Sequence, residues 1–138
     1  MDPSQIRLVQ HSFTRLAPDA EQIADLCCAR LFQLDPALRA LLPNDLREPK
    51  RAAVRWFARV VADLHEPTRW HGAVRELGRQ PLLSTLEARH YDTFGSALIW
   101  TLERGLGEEF TFDVLGAWVS FYAQLRQTLS SKQGEISR

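Results

Sequence analysis

Apolar residues recur at three- and four-residue spacing along almost the whole chain, and no stretch alternates as a half-buried strand does. The pattern predicts an all-α fold of about seven helices of very unequal length. Ile6, Val9, Phe13 and Leu16 line one face of a first helix, with Ser4 placed to cap it. Pro18 suits the first turn of a second helix, whose stripe is Ile23, Cys27, Leu31 and Leu34. Asp35 and Pro36 open a short third helix to about Leu42, and Pro43-Asn44-Asp45 reads as a loop. Val54, Phe57, Val61 and Leu64 mark the next helix, broken at Glu66-Pro67. Trp70, Val74 and Leu77 carry a shorter one, ended by Gly78 and Pro81. Ser84-Thr85-Leu86-Glu87 has the form of a capping box, expected to open a long helix through Leu98 and Leu102 that closes near Gly105 or Gly107. Thr111 is expected to cap the last helix, with Val114, Leu115, Trp118, Tyr122, Leu125 and Leu129 turned inward. A four-helix bundle would show fewer and more equal helices.

The length of 138 residues suits a single domain over residues 1–138, with residues 129–138 expected as a loose C-terminal tail. Basic and acidic residues balance at 17 each, which argues against a nucleic-acid partner, since such proteins carry a basic excess. No apolar run reaches the roughly 20 residues of a membrane span. The opening Met1-Asp2-Pro3-Ser4 lacks the basic and apolar blocks of a signal peptide. The two cysteines, Cys27 and Cys28, are adjacent, and a disulfide between neighbours is strained. They read as reduced thiols, and the expected location is cytoplasmic. No CxxC or HExxH spacing is present, so no metal site is expected.

Five short strings stand in a telling order: Leu8-Val9-Gln10-His11-Ser12-Phe13, Arg30-Leu31-Phe32-Gln33-Leu34-Asp35-Pro36, Leu77-Gly78-Arg79, His90-Tyr91-Asp92-Thr93-Phe94-Gly95 and Ala117-Trp118. With this order of helices, the chain resembles the globin family over about residues 5–129. The likeness is strongest to bacterial single-domain globins and the globin part of flavohaemoglobins. The resemblance implies a globin fold with a haem pocket, but the positions that do haem chemistry depart from the family pattern. Pro81 stands where the proximal histidine would bind iron. Leu42, before Pro43, replaces the phenylalanine that wedges the haem ring. Pro49 replaces the distal glutamine or histidine and cannot donate a hydrogen bond. Cys28 replaces the distal tyrosine. Tyr91 matches the family's tyrosine but has lost its proximal partner. Pro81, with the Ser84–Glu87 box, implies a shortened or rebuilt proximal helix, and Pro49 requires its helix to start at or just before it.

An empty haem-sized hole of several hundred cubic ångströms would cost on the order of 10 kcal/mol at about 24 cal/mol per Å³. A whole domain is stable by only roughly 5 to 15 kcal/mol. The pocket is therefore expected to be collapsed, filled by side chains, or filled by another ligand. Leu82, Leu83 and Leu86, with Trp56 and Phe57, are natural fillers.

The first functional expectation is a haem-free, globin-like binding, interaction or sensor module with a rebuilt pocket, no expected cofactor, and a protein partner or apolar small molecule. The second is a haem-binding globin with atypical ligation of haem b through Cys28 or His71, in gas sensing, oxygen binding or electron transfer. The third is a carrier of an apolar ligand, such as a fatty acid or linear tetrapyrrole, in the globin cavity. His71 lies nearly three turns before Pro81, roughly 15 Å along a helix. It, His11 and His65 read as surface histidines, while His90 belongs to a string that haem-binding relatives share. Arg47, Arg51, Arg55 and Arg59, with Lys50, form a basic stripe that either docks an acidic partner or pairs with local acids such as Glu48 and Asp63. Trp118 and Trp70 read as core and Trp56 and Trp100 as core or interface, although an exposed Trp70 would mark a partner surface. No nucleophile–base pair, phosphate loop or paired carboxylates stand out, so no enzyme activity is expected apart from haem. A homodimer through the last two long helices would be typical of the resemblance.

Overall fold

A computed structural model describes residues 1–136, with side chains described to Ser131. Every regular element among them is helical: α1 (Pro3–Leu16), α2 (Ala20–Leu34), α3 (Ala37–Ala40), α4 (Arg47–Ala62), α5 (Pro67–Arg79), α6 (Pro81–Ser84), α7 (Tyr91–Leu106) and α8 (Phe112–Ile136). Single 3-10 turns precede α2, α7 and α8. No helix among the described residues is long and apolar enough to cross a membrane.

Several boundaries differ from the sequence expectation, each for a local reason. Asp2 caps α1, not Ser4. Its Oδ1 accepts the Gln5 N–H at 2.8 Å, and the Gln5 side chain returns to the Asp2 N–H. Pro3 at the first helical position loses nothing by lacking an N–H. Ser84 does not open the long helix; it ends α6. The Ser84 and Thr85 hydroxyls donate back to the Pro81 carbonyl, at 3.4 and 2.6 Å, so neither faces forward. Glu87 takes the capping position instead, its N–H donating to His90 Nδ1 at 3.0 Å, and α7 begins at Tyr91. Leu34 is not inward: it is the last residue of α2 and is exposed, so the buried stripe stops at Leu31. α8 continues as helix to Ile136 across the expected tail, and residues 137–138 lie outside the described residues.

Other expectations hold. The chain breaks between α4 and α5 before Pro67, and Glu66 in addition caps α5 by accepting the Thr68 N–H. Thr111 accepts the Val114 N–H at 3.2 Å. Pro49 falls in the first turn of α4, where an N–H has no helical partner. Gly107, at φ 56°, turns the chain between α7 and α8 in a conformation that other residues adopt at a cost.

α1 lies along α8, α2 along α7, and α4 along α5. Their common core is pinned by two long-range hydrogen bonds. The Trp118 indole N–H donates to Ser12 Oγ at 2.9 Å, and that hydroxyl donates to the Leu8 carbonyl at 2.7 Å. The Tyr122 hydroxyl donates to the Tyr91 carbonyl at 2.6 Å. Gly95 lets the Tyr122 ring approach, since a Cβ there would meet the ring at 2.5 Å. Phe57 stacks on Trp118 at 6.3 Å, and Phe121 meets both rings edge-on. Well-placed ring pairs of this kind add roughly 0.5–1.5 kcal/mol beyond area burial.

Candidate functional site: an apolar interior cavity

The core is not filled. A cavity of about 130 Å³ lies between α1, α2, α4, α7 and the segment from Leu82 to Leu86. Phe13, Leu31, Phe57, Leu86, Phe94 and Leu98 are among its apolar walls. Small side chains leave the space. Ala20, Ala24, Cys27 and Cys28 face it from α2, and Ala53 faces it from α4. A row of small residues at helical spacing inside an apolar stripe is the signal for it in the sequence.

Few polar groups reach the cavity: Lys50, Thr85, Thr101 and the two thiols. Thr101 is buried, and its hydroxyl donates to the Ala97 carbonyl at 2.7 Å, so it offers the interior little free polarity. Lys50 Nζ pairs with Asp25 Oδ1 at 2.5 Å, and that carboxylate is largely exposed, so the lysine head stands at the mouth. Burial pushes the Cys27 thiol up to about 12, reinforced by the neighbouring Cys28 and partly offset by a hydrogen bond with Thr101. Burial also raises Cys28, against the opposing pull of Lys50. Both cysteines are free and protonated at neutral pH.

Of the five positions singled out in the sequence, Cys28 and Leu42 line the cavity, and Pro81, Pro49 and Tyr91 do not. Pro81 is exposed at the head of α6, and Pro49 lies in the first turn of α4. Tyr91 is buried, but its carbonyl serves the Tyr122 hydroxyl. Leu82, Leu83, Leu86 and Phe57, expected to fill the pocket, instead line it and leave about 130 Å³ between them. Trp56 does not: it faces a separate surface groove beside Arg59 and Arg69. Phe13, Lys50 and Thr101 were not anticipated, because their places depend on how α1, α4 and α7 cross.

No histidine lines the cavity. His71 is exposed, its ring 5.3 Å from that of Trp70. His11 and His65 are exposed, and His90 accepts the Glu87 N–H. Trp70 is buried in the α5 stripe with Ala73, Val74 and Leu77, so it forms no partner surface. Among the described residues no cluster of three or more histidines, cysteines or carboxylates could hold a metal ion. Haem does not fit these residues. The lining holds no imidazole among the described residues, and the space is smaller than the several-hundred-Å³ hole that haem requires.

The basic stripe of α4 is largely neutralised. Arg47 pairs with Asp45, Arg51 with Glu21 and Glu48, Arg59 with Asp63, and Lys50 with Asp25. The Arg47 guanidinium holds the Asp45 carboxyl well below the usual carboxylate range. Exposed pairs like these contribute little stability, but they cancel most of the positive charge on α4, leaving exposed Arg55 as the member of the stripe with no ion pair among the described residues. Compared with known proteins, the chain matches no family model and no curated protein.

Proposed function

We propose that this chain is a haem-free, globin-like binding module whose interior takes a small apolar molecule. One observation carries the reading: an apolar cavity of about 130 Å³ whose lining includes Cys28 and Leu42, two of the five positions the globin resemblance singles out, and holds no imidazole among the described residues. A cavity of similar size, about 150 Å³ and lined by Leu, Ile and Phe, stays dry and takes up benzene or xenon. The pocket opens to solvent at its Lys50 mouth, and a ligand that enters gains affinity by covering its apolar walls. Lys50 at the mouth is the single cation in the lining and suits a ligand that keeps one anionic or polar group in water. Occupancy coupled to a protein partner would make the module a sensor.

The test is an absorption titration of the purified protein with hemin. The reading expects no sharp Soret band and no saturable binding. Stoichiometric binding with a sharp band, lost on Cys28→Ala or His71→Ala, would replace it with atypical haem ligation.

A further inference from the structure

Phe112 opens α8 with its ring 92 % exposed. The corner that carries it is acidic. Glu108 and Asp113 are both exposed, and among the described residues neither forms an ion pair, whereas Glu109 is held by Arg15. The corner thus joins one exposed aromatic ring to two carboxylates that, among the described residues, form no ion pair.

The complementary half lies on the paired faces of α2 and α7. Trp100 is half-buried, with the Arg30 guanidinium 4.8 Å and the Arg104 guanidinium 4.3 Å from the ring centre. Two cations thus share one ring, and among the described residues neither reaches a carboxylate. Glu103, next to Arg104 on α7, is exposed and pairs with neither. Among the described residues, Arg30 Nε is buried without an acceptor, and the side chain makes one long hydrogen bond, 3.4 Å, to Gln33. Leu34, one turn beyond Arg30, adds an exposed apolar surface.

We propose that the Phe112 corner of a second copy of this chain docks on the Arg30–Trp100–Arg104 face. Phe112 covers Leu34 and the open edge of Trp100, while Glu108 and Asp113 supply the carboxylates that Arg104 and Arg30 lack. The two halves adjoin on one surface, because Arg104 and Glu108 are four residues apart and Gly107 turns the corner between them. Each copy offers both halves, so a two-fold axis closes the pair with the contact made twice. A net charge of zero leaves no general repulsion between copies. This contact is independent of the cavity and of what fills it.

Sedimentation velocity of the full chain over a wide concentration range, at low and high salt, is the test. The proposal expects a monomer–dimer equilibrium that salt weakens. Phe112→Ser and Arg104→Glu should each raise the dissociation constant roughly tenfold or more, while far-UV circular dichroism of each variant keeps the native helical signal. The double exchange Arg104→Glu with Glu108→Arg should restore dimerisation towards the native level. A monomer at every concentration, an open-ended series of oligomers, a dimer indifferent to the single substitutions, or failure of the double exchange would each overturn it.

Discussion

Ala53→Leu should stabilise the protein, which is the opposite of the usual result for enlarging a core residue. Ala53 is half-buried on α4 and faces the cavity. Leucine adds three carbons, and each buried carbon contributes about 0.8 kcal/mol, so a perfect fit would add about 2 kcal/mol. Imperfect rotamers reduce the gain, and a net rise of about 1 kcal/mol is the expected outcome. Urea unfolding followed by far-UV circular dichroism measures it as a higher midpoint at unchanged slope. In a filled core the same change would cost 1–3 kcal/mol. A lower midpoint for Ala53→Leu, and also for Ala24→Leu on the facing helix, would refute the cavity.

Three further outcomes are expected. Ser12→Ala leaves the buried Trp118 N–H without its acceptor and should cost about 1–3 kcal/mol in the same urea experiment; an unchanged midpoint would show that the bond contributes nothing. Gly95→Ala forces a Cβ to within 2.5 Å of the Tyr122 ring and should cost about 1–3 kcal/mol, with a shift in near-UV tyrosine signals as the Tyr122–Tyr91 bond is disturbed. Alkaline pH should weaken the fold. Cys27 ionises at about 12 when folded and near its ordinary 9.0 when unfolded, so the unfolded chain loses its proton first. Stability from this thiol is complete below about pH 9 and is lost as pH rises from there towards 12, with a slope of about 1.4 kcal/mol per pH unit. Cys28 acts in the same direction. Cys27→Ala should flatten that decline, and an identical pH profile for the variant would contradict the assignment.

The helices were legible because a 3.6-residue period survives any tertiary arrangement. Val9, Leu31, Val61, Val74, Leu98 and Trp118 all lie inside as their spacing implies. Helix starts were less legible, because a serine or an aspartate can cap in either direction. Asp2 and Ser4 both stood before the same apolar stripe, and Pro3 between them decided in favour of Asp2. The hydroxyls of Ser84 and Thr85 turned back to Pro81, a choice that depends on α6 forming at all. At the site, Cys28 and Leu42 could be singled out from the sequence because each stands a few residues from the Arg30–Pro36 string, which fixes their register in the resemblance. Lys50 and Thr101 could not, because reaching the cavity depends on how α4 and α7 cross. The cavity itself was hidden by its own nature: small side chains on a buried stripe look like ordinary packing until their opposite neighbours are known.

The central claim is that the interior admits a small apolar molecule. Its most direct test is calorimetric titration of the purified protein with toluene, alongside Ala53→Leu. The account predicts saturable one-to-one binding by the native chain, and its loss in a variant that remains folded. No saturable binding by the native chain, or binding undiminished in Ala53→Leu, would contradict it.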